Sequence, residues 1–195
     1  MKIEIVPVWN ALSPELATEL VAFWRDQNAI QNEAAATRRT EQVVCVARDA
    51  DGALCGVATA IVKVLPRLRQ PMYYYRQFFA KALRGQHQEL VFFQRAKQIL
   101  QDYNAGLGKA ESLGILLEVE NAKIAAAYKR AHVPGFDATF IGYSPRGLQL
   151  RVSYFDNAVL LAPTPLRAPA AVAAGARGAN ARPAPSIPRH GNVRS

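Results

Sequence analysis

The chain has 195 residues, half of them apolar and one in five charged, with a formal net charge of +9. That is ample for a folded core and one or two domains, while no apolar run approaches the roughly 18 residues of a membrane-spanning helix. Residues Met1 to Asn10 lack the cationic start and apolar block of a secretory signal, and two cysteines are too few for a disulfide framework or a four-ligand zinc site. The expectation is a cytoplasmic protein without metal or membrane association.

Lys2 to Val8 alternates like a strand and stops at Pro7–Trp9. Ser13-Pro14-Glu15 supplies a hydroxyl cap, a proline at the first helical position and an acid in the first turn. Leu16, Leu20, Phe23 and Trp24 then recur at helical spacing, which predicts a helix to about Asn28. A weaker helical stretch covers Ala29 to Thr37. Two β-rich runs, 42–48 and 53–65, flank an Asp/Gly turn and read as a hairpin. With residue 48 facing 53, Cys45 and Cys55 point to opposite faces, as small buried residues rather than a disulfide. Pro66 and Pro71 bracket a basic linker, and Met72 to Ala80 is an aromatic strand in which Tyr73, Tyr74 and Tyr75 alternate faces.

A loop from Lys81 to His87 leads into a helix over 88–103, with Phe92, Ala96, Ile99, Leu100 and Tyr103 on one stripe. Gly106 and Gly108 end it. Gly114 to Val119 is a short apolar strand, and Asn121 caps a helix through Arg130. Strands at 138–143 and 148–155 flank Ser144-Pro145-Arg146-Gly147. The order predicts a mixed α/β (α+β) layer with a mainly antiparallel central sheet flanked by helices. From Ala162 onward there are five arginines, no acid, six prolines and ten alanines, so +9 for the chain leaves +4 for residues 1–161. The segment 162–195 is expected to be a disordered basic tail, because so little apolar surface does not offset ordering entropy. It reads either as a solvated extension or as an arm for nucleic acid or another anionic partner.

No Walker loop, GxGxxG, zinc pattern or nucleophile elbow is present. The informative place is the strand–loop–helix junction from Phe79 to Leu90. The first turn of a helix carries unpaired amides and partial positive charge. Gly85 permits close backbone approach, and Lys81 and Arg84 add charge, so phosphate or pyrophosphate suits the junction. On the physics alone the favoured reading is a glycine that serves as a purely steric device in a strand-to-helix turn.

Further on, an apolar strand is followed by Asn121, Ala125 and Tyr128, with Gly135-Phe136 beyond. On these residues, together with Gly85 as the central glycine of a (Gln/Arg)-x-x-Gly-x-(Gly/Ala) loop, the chain resembles the GNAT superfamily of N-acetyltransferases over roughly 1–157. Ala82 and His87 depart from the usual residues of that loop. The resemblance implies the GNAT acyl-CoA N-acyltransferase fold and direct acetyl transfer from acetyl-coenzyme A to a small-molecule or peptide amine in a ternary complex. It implies that Arg84, Gly85, Gln86, His87 and Gln88 hold the pyrophosphate, that Phe79 and Lys81 pair with the pantetheine arm, and that Asn121 contacts it. Tyr128 would protonate the leaving thiolate, since a phenol with pKa about 10 stays protonated at neutral pH; on the residues alone it reads equally as core. The strand before the loop has no acid, so Glu118 is the nearest carboxylate for a general base. Arg38-Arg39 would meet an anionic acceptor, Asp26, Glu33 and Glu41 a cationic one, and both sets read equally as solvated surface. The alternative is a catalytically inactive binding module of the same fold.

Overall fold

In the computed structural model, which describes residues 3–165, β1 (Glu4–Pro7) leads to α1 (Pro14–Asp26). The Leu16 amide donates to Ser13 Oγ (3.2 Å), Pro14 occupies the first turn, and Leu20, Phe23 and Trp24 are buried, as the spacing predicts. α2 (Glu33–Thr40) starts four residues later than expected. The amides of Ala29 and Ile30 go back to the Trp24 carbonyl (2.8 and 3.4 Å), and Asn32 caps the new helix through the Ala35 amide (2.8 Å).

β2 (Val43–Arg48) and β3 (Leu54–Leu65) form the expected hairpin, but its register is shifted. Arg48 pairs with Leu54 and Ala47 with Gly56, so an irregularity intervenes. Both cysteines therefore fall in the same core cluster rather than on opposite faces, and both remain free thiols. β4 (Gln70–Phe79) pairs with β3 along its whole length, so the expected linker shrinks to a turn over 66–69 and Pro71 lies within the strand.

A 3-10 turn (Lys81–Leu83) precedes α3 (Glu89–Gly106), which buries Phe92, Phe93, Ala96, Leu100 and Asn104. Asn104 donates to Ser112 O (3.1 Å) and accepts from the Glu111 and Ser112 amides (3.0 and 3.1 Å), fixing the chain's entry into β5 (Gly114–Val119). Gly114 has φ +156°, and a Cβ there would meet the Ser153 carbonyl oxygen, so only glycine fits. α4 (Ala122–Ala127), β6 (His132–Val133), β7 (Ala138–Tyr143) and β8 (Gln149–Tyr154) follow. The helix expected to reach Arg130 stops at Ala127 because buried Arg151 takes the carbonyls beyond it. Its guanidinium donates to those of Tyr128, Arg130 and Ala131 (2.6, 3.0 and 3.4 Å).

The eight strands run β1-β2-β3-β4-β5-β8-β7-β6, and only β4–β5 is parallel. This is the predicted mixed, mainly antiparallel sheet. Along β2 and β3 the side chains divide between two clusters. Ala47 and Ala58 join α3 on one face, whereas Val46 and Val57 join α1 and α2 on the other. Burying each large apolar side chain contributes about 1.5–3 kcal/mol. Around the expected boundary at 161, Gln70 exchanges two side-chain hydrogen bonds with the Leu161 backbone (2.9 and 3.0 Å), while Arg69 donates from Nε to the Thr164 carbonyl and accepts at its own carbonyl from the Thr164 amide (both 2.9 Å). The remainder of the expected tail lies outside the described residues.

Candidate functional site

The parallel pair β4–β5 is short. Tyr73, Tyr74 and Tyr75 pair with Ile115, Leu116 and Leu117, and there the two strands part. Beyond that point Arg76–Phe79 still pair with β3, and Glu118 and Val119 still pair with β8. Their facing edges carry no ladder partner. An unpaired strand edge offers N–H and C=O groups to any extended polar chain, so the fork is a ready-made slot.

The loop continues from the β4 arm of this fork. The Ala80 amide donates to Cys55 O (2.9 Å), the Lys81 amide to Gln27 Oε1 (3.2 Å), and Arg84 Nε to Phe79 O (3.0 Å). Gly85 (φ +80°) and His87 (φ +54°) both take left-handed backbone, and a Cβ on Gly85 would touch nothing. Helices α1, α2 and α4 are capped by Ser13, Asn32 and Asn121, whereas α3 has no side-chain cap. Among the described residues the amides of His87, Gln88, Glu89, Leu90 and Val91 have no protein acceptor. The start of α3 thus keeps its donors and its positive end free.

The expected site residues divide. Phe79 to Gln88 lie together between fork and helix, with the Phe79 ring packed on Phe92 (5.1 Å between centroids) and over Gly56, where a Cβ would come within 2.7 Å of it. Asn121 turns its side chain inward to cap α4 through the Lys123 and Ile124 amides (2.9 and 3.4 Å). Tyr128 lies just past α4, half-buried and edge-on to Phe136 at 5.5 Å between ring centroids.

On the α1–α2 face the fork is lined by charge. Glu118 accepts from Arg146 (2.6 Å) and from the Tyr74 hydroxyl, which in turn accepts from Arg76 (2.9 Å). Glu120 lies 2.9 Å from Arg146 and 3.7 Å from Arg76, and Lys63 sits over the Tyr74 ring at 3.9 Å. Burial pushes the Glu118 carboxyl up, but hydrogen bonds from Arg146, Ser144 and Tyr74 outweigh it and hold the group at about 2. Of the tyrosine triplet, Tyr73 and Tyr75 enter the α3-side core, while Tyr74 alone reaches this network. Arg76, Glu120, Arg146 and Arg151 were not singled out by the sequence. The available signal was that Arg76 and Arg151 are each the sole charge in an apolar strand, the kind of residue a sheet tolerates only with partners.

No family profile matches the chain, and no curated protein matches it in sequence. Solved structures do match in fold. A protein assigned as a phosphinothricin N-acetyltransferase aligns over 80% of this chain and 99% of its own, with 11% identity and a TM-score of 0.51. A GNAT-family acetyltransferase from Streptococcus pneumoniae covers 80% and 100%, at 12% identity and a TM-score of 0.49. A spermidine N-acetyltransferase from Vibrio cholerae covers 78% and 92%, at 13% and 0.47. The fold of this chain is the GNAT acyltransferase fold.

Proposed function

We propose that the chain is a divergent GNAT N-acetyltransferase, moving an acetyl group from acetyl-coenzyme A to an amine by direct transfer. The observation that carries this reading is the fork between β4 and β5, with unpaired strand edges leading to the uncapped amides of α3. Those groups suit the two halves of the co-substrate. Apart from the Phe79 carbonyl, which Arg84 occupies, the open edges of Arg76–Phe79 and Glu118–Val119 match the amides of an extended pantetheine arm, and the amides from His87 onward match a pyrophosphate. Acetyl-coenzyme A supplies an activated thioester.

Within that arrangement the chain's own residues hold the arm, exclude competing orientations and manage one proton. The acceptor nitrogen bonds to the thioester carbonyl carbon as the carbon–sulfur bond breaks, and the Tyr128 hydroxyl gives its proton to the departing sulfur. Asn121 caps α4 beside the fork through its Oδ1, and its side-chain amide nitrogen is the group offered to the pantetheine arm. Glu118 is not retained as the base. A carboxyl held at about 2 by three donors is a poor proton acceptor at neutral pH, and its role here is to anchor Tyr74 and Arg146. The acceptor amine enters as the free base, its surplus proton leaves to water, and water returns a proton to the Tyr128 phenolate.

A thermal melt with and without acetyl-coenzyme A tests the reading. Ligand at a hundred times its dissociation constant adds about 2.7 kcal/mol, a rise of roughly 5–10 °C for a domain of this size. That rise, absent with adenosine alone, is the expected result. No rise at millimolar ligand overturns the assignment and leaves the fold with a binding role.

A further inference from the structure

A cavity of about 180 Å³ lies on the α1–α2 face beside the fork, where Arg76 and Phe78 of β4 and Glu120 beyond β5 contribute to its wall. Trp24 and Ile30 complete an apolar side with Phe78, and Arg39 from the last turn of α2 closes the opposite one. Its charge is unbalanced. Among the described residues Arg39 makes no ion pair and no side-chain hydrogen bond, although it is half-buried. Arg76 has one weak carboxylate neighbour, Glu120 at 3.7 Å, and its buried Nε has no partner at all. Glu120 itself is drawn to Arg146 at 2.9 Å. Burial and the adjacent Arg76 lower the Arg39 pKa, the cost of placing two guanidiniums together in one pocket.

Two converging guanidiniums with unspent donors are the arrangement that binds a carboxylate through charge-assisted, often bidentate, hydrogen bonds. We propose that this cavity is the acceptor subsite, and that Arg39 and Arg76 select an amine carrying a carboxylate beside an apolar side chain, the chemistry of an apolar α-amino acid. The inference rests on the acetyltransferase reading. The cavity is smaller than the roughly 300–1,000 Å³ of typical drug-sized ligand sites, in keeping with a single small molecule. With the carboxylate held between Arg39 and Arg76 and the side chain against Trp24, Ile30 and Phe78, the amino group is directed toward the fork.

The test uses transfer products, which bind without turning over. N-acetyl-L-leucine and N-acetyl-L-phenylalanine are titrated calorimetrically into the full chain beside N-phenethylacetamide, which lacks the carboxylate. Coenzyme A is titrated in parallel. The carboxylated ligands are expected to bind at least tenfold more tightly than the uncharged one. Arg39→Met is expected to abolish that preference, Arg39→Lys to restore part of it, and added salt to weaken it. Equal affinity for both ligand types, binding of neither, or an unchanged preference in Arg39→Met overturns the proposal. Coenzyme A binding that persists in those cases confines the failure to the acceptor, whereas its loss strikes the acetyltransferase reading itself.

Discussion

Glu118 offers a measurement in which stability and mechanism separate. Its carboxyl is nearly buried at 9% exposure and accepts from Arg146, which is itself 55% exposed. A group displaced from 4.5 to about 2 on folding holds about 3 kcal/mol. Screening at the exposed arginine reduces this to about 1–2 kcal/mol. Because the folded-state value lies below the ordinary one, the stabilisation is complete above pH 4.5 and is lost as pH falls toward 2. Urea unfolding of the native chain and of Glu118→Gln at pH 7, 5, 4 and 3 reads it directly. The substitution is expected to cost about 1–2 kcal/mol at pH 7 and to flatten the acid limb, with m unchanged. Parallel curves for the two proteins from pH 7 to 3 would refute the ion-pair account of Glu118. They would also reopen its assignment as a base, since the argument against that role is the same depressed value.

Two further outcomes follow from the site. Tyr128→Phe is expected to lower kcat at least about tenfold while coenzyme A affinity, read by calorimetry, changes less than threefold; the reverse pattern contradicts proton donation. Arg151→Met removes donors from three carbonyls but also relieves a buried guanidinium whose pKa burial already lowers. The net cost is about 2 kcal/mol, a fall in melting temperature of roughly 4–8 °C, with turnover reduced because the segment carrying Tyr128 loosens.

The elements whose cause is local were legible in the residues. Ser13-Pro14-Glu15 fixes where α1 begins, because cap and proline act within one turn, and α1 buries the spacing-matched Leu20, Phe23 and Trp24. The α3 stripe and the two hairpins follow from periodicity and turn chemistry in the same way. The glycine turn that leads into α3 was legible too, since Gly85 and the helix start are adjacent in sequence. Where distant residues compete for the same backbone groups, local reading failed. Ala122 to Tyr128 has the composition to continue as helix, but Arg151, 23 residues on from Tyr128, captures its carbonyl.

A hairpin irregularity moves Cys55 to the face of Cys45, an effect invisible to strict alternation because one offset residue reverses every later side chain. The cavity beside the fork belongs wholly to this second class. Arg39 was noticed as a charge, but its neighbours Arg76 and Glu120 come from β4 and the end of β5. Sequence alone determined the sheet order's ingredients, the helix faces and the anion-friendly loop, because each depends on neighbours a few positions apart. Only the tertiary structure decided which charges meet at the fork, because that depends on where β4 and β5 stop pairing.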